Sequence, residues 1–395
     1  MFGSVADRQI LDISLRPQVP QYTIHLVSSK THRVIDSFNM PYQETITDMQ
    51  VMPLEVSEQT HDQELRIVVA TAAQRGEDMP AKGAVTVFDV LDVVPEPDVP
   101  ESGYKLHVAA REEARGAITA LAPFRGGFIG TAQGQKIMIR GLKEDGSCLP
   151  VAFLDAQCHT HTIKTLGSKG MWLIGDAWKG LWFGGWTEEP YKLTILGRSP
   201  KTRMEVMAAE FLPFEKTLHL LIMDANCNLQ VLQYDPENLE TQNGMRLLHK
   251  STFHVGQLVT KMALLPSTIS PTQQDQPMMN GDEDAEPPQT LFQVLTTSMT
   301  GSIGLITPLE ESAYRRLSQL QGHLTGILEH TGGLNPRAFR GETAGAKGVV
   351  DGNLVRRIGE LGLSRRGDVL GRAGVDVWGL RGDLEMIGGF GLGYL

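Results

Sequence analysis

The chain has 395 residues, 41% of them hydrophobic and 21% charged, with a formal net charge of -10. That is ample for a sizeable core, and it excludes the basic excess of a protein that sheathes nucleic acid, so any RNA contact is expected to be local. No apolar run approaches the ~20 residues that span a bilayer, and Met1-Phe2-Gly3-Ser4 opens neither a signal peptide nor a lipidation motif.

The expectation is therefore a chain that is neither secreted nor held in a membrane. Cys148, Cys158 and Cys227 are an odd set spread far apart, which argues against a disulfide framework and for a reducing compartment.

In chain order, a polar leader precedes one predicted strand pair, Tyr22 to Val27 and Arg33 to Phe38. From Glu44 a unit of four apolar, strand-like runs begins: ETITDMQVMPLE, RIVVATAA, GAVTVFDV and YKLHVAARE. The same order returns from Gly116, from His161 and from Glu205, and its first three members return from Leu258. The unit from Glu205 carries the clearest hairpin, LHLLIMDANCNLQVLQY (from Leu218), with Asp224-Ala225-Asn226-Cys227-Asn228 as a polar turn between two apolar runs. Four antiparallel strands at a period of roughly 45 to 60 residues predict propeller blades. The WD dipeptide of one large propeller class does not occur.

The expected fold is thus all-β, a seven-bladed-type β-propeller present as about five and a half blades over residues 1–306, followed by a small helical domain over 307–395. A half blade at the start leaves strand edges open and predicts that the chain is the C-terminal part of a larger architecture, or is completed by another segment. Within the last blade, Pro271 to Thr290 is proline-rich and acidic, and reads as a flexible loop.

After Ile306 the period changes. Thr307, Pro308 and Glu310 spell a capping box, and Ala313, Leu317, Leu320, Leu324 and Ile327 recur at helical spacing. Weaker helical spacing follows from Asp351 to Arg372, with Asp351 and Ser364 as candidate N-caps. The tail is glycine-rich, and each glycine inside a helix costs ~1 kcal/mol relative to alanine, so it is expected to need a surface to dock on.

Val93-Val94-Pro95-Glu96-Pro97, Gly134-Gln135-Lys136-Ile137, Gly244-Met245-Arg246-Leu247-Leu248, Phe253-His254-Val255-Gly256, Tyr314-Arg315-Arg316-Leu317 and above all Leu334-Asn335-Pro336-Arg337-Ala338-Phe339-Arg340 follow one another along the chain. In this combination the chain resembles the C-terminal region of the large subunit of the cleavage and polyadenylation specificity factor, in the CPSF-A superfamily, with a Gly-Leu-Gly-Tyr-Leu ending similar to fungal versions. The resemblance implies a third propeller of seven blades and a small helical domain, with two further propellers in front in family members.

It also implies a nuclear, non-catalytic scaffold of pre-mRNA 3'-end cleavage and polyadenylation. Such a scaffold holds a WD-repeat subunit and a zinc-finger subunit and contributes to binding of pre-mRNA, with no cofactor, small-molecule substrate or membrane partner. The alternative within the superfamily is a propeller scaffold in splicing or ubiquitin-ligase assembly. A propeller enzyme is the more distant alternative: no His-Glu-x-x-His, Gly-x-Ser-x-Gly, Walker loop or CxxC pair occurs.

Four groups of residues are candidates for function. Cys158-His159-Thr160-His161 looks metal-like, but on a strand only the two histidines share a face, while structural zinc takes four ligands; no metal is expected. Trp172, Trp178, Trp182 and Trp186 lie close together, and either pack between blades or offer a ring to a partner. The run Leu334, Asn335, Pro336, Arg337, Phe339 and Arg340 is the candidate docking segment, with Phe339 as its anchor, against either the propeller or a partner. Arg356, Arg357, Arg365 and Arg366 are the nucleic-acid candidates, part of a series that includes Arg315, Arg316 and Arg372; interspersed acids such as Glu360, Asp368 and Asp376 make a self-compensated face the competing reading.

Overall fold

The computed structural model describes residues 2–6 (backbone only), 20–57, 59–95, 103–156, 159–200, 203–215, 217–266, 292–341 and 348–388. The acidic segment 271–290, Cys158 and the glycine run at 389–393 lie outside the described residues. The chain forms two compact units, residues 1–196 and 197–395.

The first unit opens with a three-stranded sheet of β1 (Phe2–Ala6), β2 (Gln21–Val27) and β3 (Val34–Asn39). The polar leader therefore contains a strand, antiparallel to β2, where only a strand pair was expected. Three four-stranded antiparallel sheets follow: β4 (Glu44–Glu55) to β7 (Tyr104–Ala114), β8 (Ile118–Phe124) to β11 (Cys148–Asp155), and β12 (Thr160–Leu166) to β15 (Tyr191–Arg198). Each runs in simple sequence order, as propeller blades do.

The central strands β5 (Gln63–Ala73), β9 (Phe128–Gln133) and β13 (Met171–Asp176) contain runs buried on both faces. That is why they read as continuous apolar stretches and not as alternating ones. Outer strands such as β11 are largely half-buried or exposed.

Apolar side chains fill the space between neighbouring sheets. Met52, Val68 and Val85 of one sheet meet Ile118, Leu121 and Ile129 of the next, and Phe124, Ile137, Trp172 and Trp182 share the following layer. Side chains also stitch the innermost strands together. The Thr47 hydroxyl donates to the Ile118 carbonyl (2.5 Å), Gln50 Nε2 to the Leu121 carbonyl (2.7 Å), and the Thr119 hydroxyl to the Thr160 carbonyl (2.6 Å).

Both threonines sit at a one-residue register shift, between Ile46 and Asp48 and between Ile118 and Ala120. The same shift recurs around His161, Met207 and Thr260. A β-bulge frees one residue from the ladder and turns it aside, and here it aims a hydroxyl at the neighbouring blade. Buried Arg140 adds a charged tie, with Nε to Glu112 at 3.1 Å, Nη2 to Gln133 Oε1 at 2.7 Å, and a bond to the Thr131 hydroxyl.

The second unit holds the four-stranded sheet from β16 (Val206–Phe214) to β19 (Leu248–His254), the three-stranded sheet β20 (Val259–Pro266), β21 (Phe292–Ser298) and β22 (Ile303–Ile306), and the helices. In the turn after β17 (Thr217–Asp224), the Asp224 carboxylate accepts from the Asn228 backbone N–H (2.8 Å) and side-chain amide (3.2 Å), and from Gln230 (3.1 Å). The residue in left-handed conformation is Cys227, at φ 62, and not one of the flanking Asp or Asn residues.

Helix α1 spans Glu311–Ile327. The predicted capping box does not form: the N-cap is Glu310 with no side-chain cap bond, and the Thr307 hydroxyl accepts from Gln293 Nε2 at 2.8 Å. A buried strand amide competes for the hydroxyl and takes it. Ala313, Leu317, Leu320 and Leu324 are buried as predicted, whereas Ile327 is exposed at the helix end. Short helices α2 (Pro336–Phe339) and α3 (Gly352–Arg356) follow, then α4 (Leu363–Ala373) and α5 (Val377–Gly388).

Asp351 is the N-cap of α3, accepting from the Asn353 and Leu354 N–H groups. Ser364 is not a cap, since Gly362 holds that place and Ser364 lies inside α4. Leu317, Leu320 and Leu324 pack with Val355, Val369 and Leu380 into one apolar cluster. This is the all-β, propeller-bladed architecture with C-terminal helices that the strand pattern predicts.

Candidate functional site

The Leu334 to Arg340 run divides in two. Asn335 caps α2, its Oδ1 accepting from the Arg337 N–H at 3.0 Å, and Pro336 occupies the first turn, where its missing N–H has no consequence. That turn fixes where the next two side chains go.

Arg340 points onto the end of β19. Nη1 donates to the carbonyls of His254 (2.9 Å) and Val255 (2.8 Å), Nε donates to Asp351 (3.0 Å), and the Arg340 carbonyl accepts from the His254 N–H (3.0 Å). The guanidinium also lies 5.1 Å from the ring centroids of both Phe253 and Phe339. Phe339 meets the His254 ring edge-on at 4.9 Å. A Cβ on Gly256, which has φ +82, would come within 3.1 Å of Phe339 Cζ, so both backbone and space require glycine there.

His254 passes the contact inward, its Nδ1 lying 2.8 Å from Asn228 Oδ1, on the Asp224 turn. Two of the sequence motifs, Phe253 to Gly256 and Leu334 to Arg340, are thus one structure. His254, Gly256 and Asp351 are site residues that sequence reading did not assign; Gly256 at the end of its motif was the available signal, and Asp351 was read only as a cap. Leu334 and Arg337 face outward, Arg337 reaching the Gly322 carbonyl at 3.4 Å.

The arginine candidates also separate. Arg357 pairs with Glu360 (3.0 Å) and donates to the Glu329 carbonyl (3.1 Å); that pairing raises the pKa of Arg357 and lowers that of Glu360. Arg366 donates to the carbonyls of Gly359 (2.9 Å) and Leu361 (3.2 Å). Arg356 and Arg365 are exposed and form no ion pair among the described residues. Arg316 is committed to Asp383, at 2.9 Å.

Among the tryptophans, Trp172, Trp182 and Trp186 are buried, while Trp178, on the turn that follows β13, is 59% exposed. The His159 and His161 rings meet edge to face at 5.2 Å. Among the described residues no three His, Cys, Asp or Glu side chains are grouped as a metal site. No described helix is long and apolar enough to cross a membrane.

The family model described as "CPSF A subunit region" matches residues 21–360. The chain is 47% identical to Protein cft1 of Aspergillus fumigatus over 98% of its length, 41% identical to that of Neurospora crassa over 92%, and 30% identical to that of Schizosaccharomyces pombe over 93%. It spans between a quarter and three-tenths of those relatives' own lengths, 28%, 25% and 25% respectively. A family model matched over most of the chain, with relatives this similar along nearly all of it, places the chain in the CPSF A subunit family.

Proposed function

We propose that the chain is the C-terminal part of a non-catalytic scaffold subunit of the nuclear machinery that cleaves and polyadenylates pre-mRNA, with residues 307–395 as its docking module. Membership of the CPSF A subunit family supports the process. The observation that carries the docking reading is the divided run: Phe339 and Arg340 are locked to β19 while Leu334 and Arg337 are presented outward. An apolar residue and an arginine on a rigid turn are a suitable anchor pair for a protein partner, here a WD-repeat or zinc-finger subunit. Pre-mRNA contact falls to Arg356 and Arg365, because Arg357 and Arg366 are already engaged.

The test is affinity purification of the tagged chain from nuclear extract beside a chain truncated at Gly333. Polyadenylation subunits should accompany the first and not the second, with strand content by circular dichroism unchanged. Capture that survives truncation removes the docking role. Recovery of splicing or ubiquitin-ligase subunits would assign the chain to another branch of the superfamily. The Arg356→Ala/Arg365→Ala double variant should weaken RNA crosslinking and reduce its salt dependence by about one phosphate contact each.

A further inference from the structure

The sheets repeat, so one position can be compared across blades. In each, the residue just before the bulge of the first strand pairs with a residue on the next strand: Ile46 with Thr71, Ile118 with Gln133, Thr160 with Asp176, Val206 with Asp224 and Val259 with Ser298. The first member of these pairs is Ile or Val except at Thr160. The fold therefore does not require a hydroxyl at this position, and Thr160 sets one opposite a carboxylate.

That carboxylate is half used. Asp176 Oδ1 accepts from the backbone N–H groups of Trp178 (2.8 Å) and Lys179 (3.0 Å), and so shapes the turn that carries the exposed Trp178 ring. Asp176 Oδ2 and Thr160 Oγ1 have no hydrogen-bond partner among the described residues, although Asp176 is 1% and Thr160 0% exposed. Burial without a partner is costly for both oxygens, and most of all for the carboxylate. The turn after β17 shows the same demand met within the chain. Asp224, in the corresponding place, accepts at Oδ2 from the side-chain amides of Asn228 (3.2 Å) and Gln230 (3.1 Å). At the same steps along the chain Asp176 is followed by Gly180 and Trp182, so neither amide is there. Gly180, the register partner of Asp176, carries no side chain where the other turn has Asn228.

We propose that Thr160 and Asp176 form a cradle for one buried water molecule, which donates to Asp176 Oδ2 and accepts from the Thr160 hydroxyl. Both oxygens are then satisfied, and the water does for Asp176 what the Asn228 amide does for Asp224. The number of ligands selects water over a metal ion. The cradle offers two side-chain oxygens, whereas a hard cation takes about six or more, and among the described residues no three His, Cys, Asp or Glu side chains are grouped. Because the bridged carboxylate also holds the Trp178 and Lys179 N–H groups, the water is part of what fixes the Trp178 turn. This role is independent of which complex the protein serves.

Hydrogen exchange of the full chain, read at the Trp178 and Lys179 amides, tests the bridge. Thr160→Val, a residue type that Val206 shows to fit the position, should lower their protection about tenfold, because Asp176 Oδ2 loses one side of its bridge. Thr160→Ser keeps the hydroxyl and should stay near the parent. An unshared Thr160 hydroxyl predicts the opposite sign, since valine then removes a costly buried group. Protection that is unchanged or higher in Thr160→Val therefore overturns the proposal. Repeated in sodium, potassium and choline chloride, the exchange should not change; dependence on the small cation overturns the water in favour of an ion. A crystal structure of the parent, which needs no variant, should show a single water within about 3.0 Å of both oxygens. A direct bond from Thr160 to Asp176 in its place overturns the bridge.

Discussion

Arg340 holds three backbone or carboxylate acceptors and lies beside two rings. Replacing it by alanine leaves buried Asp351 without its partner and should cost about 2–3 kcal/mol in denaturant unfolding. Arg340→Lys should recover only part of that, because an ammonium cannot serve Asp351 and two carbonyls in one plane.

Cys148 is a second single-residue case. Burial, and next the nearby Glu112 carboxylate, push its thiol up to about 11, with Arg140 opposing. Its thiolate is then scarce at pH 8, so iodoacetamide labelling read by mass spectrometry should be about a hundredfold slower than for an unperturbed cysteine. His219 is shifted the other way, lowered by burial and by Lys250. The folded state then favours neutral imidazole, so stability is complete above the unfolded pKa of ~6.5 and is lost as pH falls through it. His219→Gln should flatten that part of the stability–pH curve, as measured by thermal unfolding from pH 5 to 7.

At the scale of elements, the bulge hydroxyls of Thr47 and Thr119 each tie one blade to the next. Thr119→Val keeps the shape and removes the donor to the buried Thr160 carbonyl, which should cost about 1–2 kcal/mol. Helix α1 is a different kind of element, held by an apolar stripe and no side-chain cap. Leu320 is fully buried in the helical cluster, so Leu320→Ala should cost about 2–5 kcal/mol.

The stripe was legible because period 3.6 survives any neighbour, whereas the cap was misread because Thr307 had a competing partner more than ten residues upstream. Helix α5 was not anticipated at all. Gly379 and Gly382 lower its intrinsic propensity, and it is tertiary contacts that hold it: Leu380, Leu384 and Ile387 packed on the helical cluster, Asp383 paired to Arg316, and the Met386 carbonyl accepting from Gln293 Nε2 at 3.2 Å.

For the molecule as a whole, the chain divides into two compact units, and among the described residues the apolar side chains form several clusters within them. Calorimetry should accordingly show a transition whose calorimetric enthalpy exceeds its van't Hoff enthalpy. Blade order and the family were readable from the sequence alone, because strand repeats and short motifs are local patterns along the chain. The motifs' meaning was not. That Arg340 belongs on the carbonyls after Phe253 and that Trp178 is exposed while its three neighbours are buried depend on residues far apart in the chain. Such pairings follow from which strand edges and helix faces come together, and only the tertiary structure decides that.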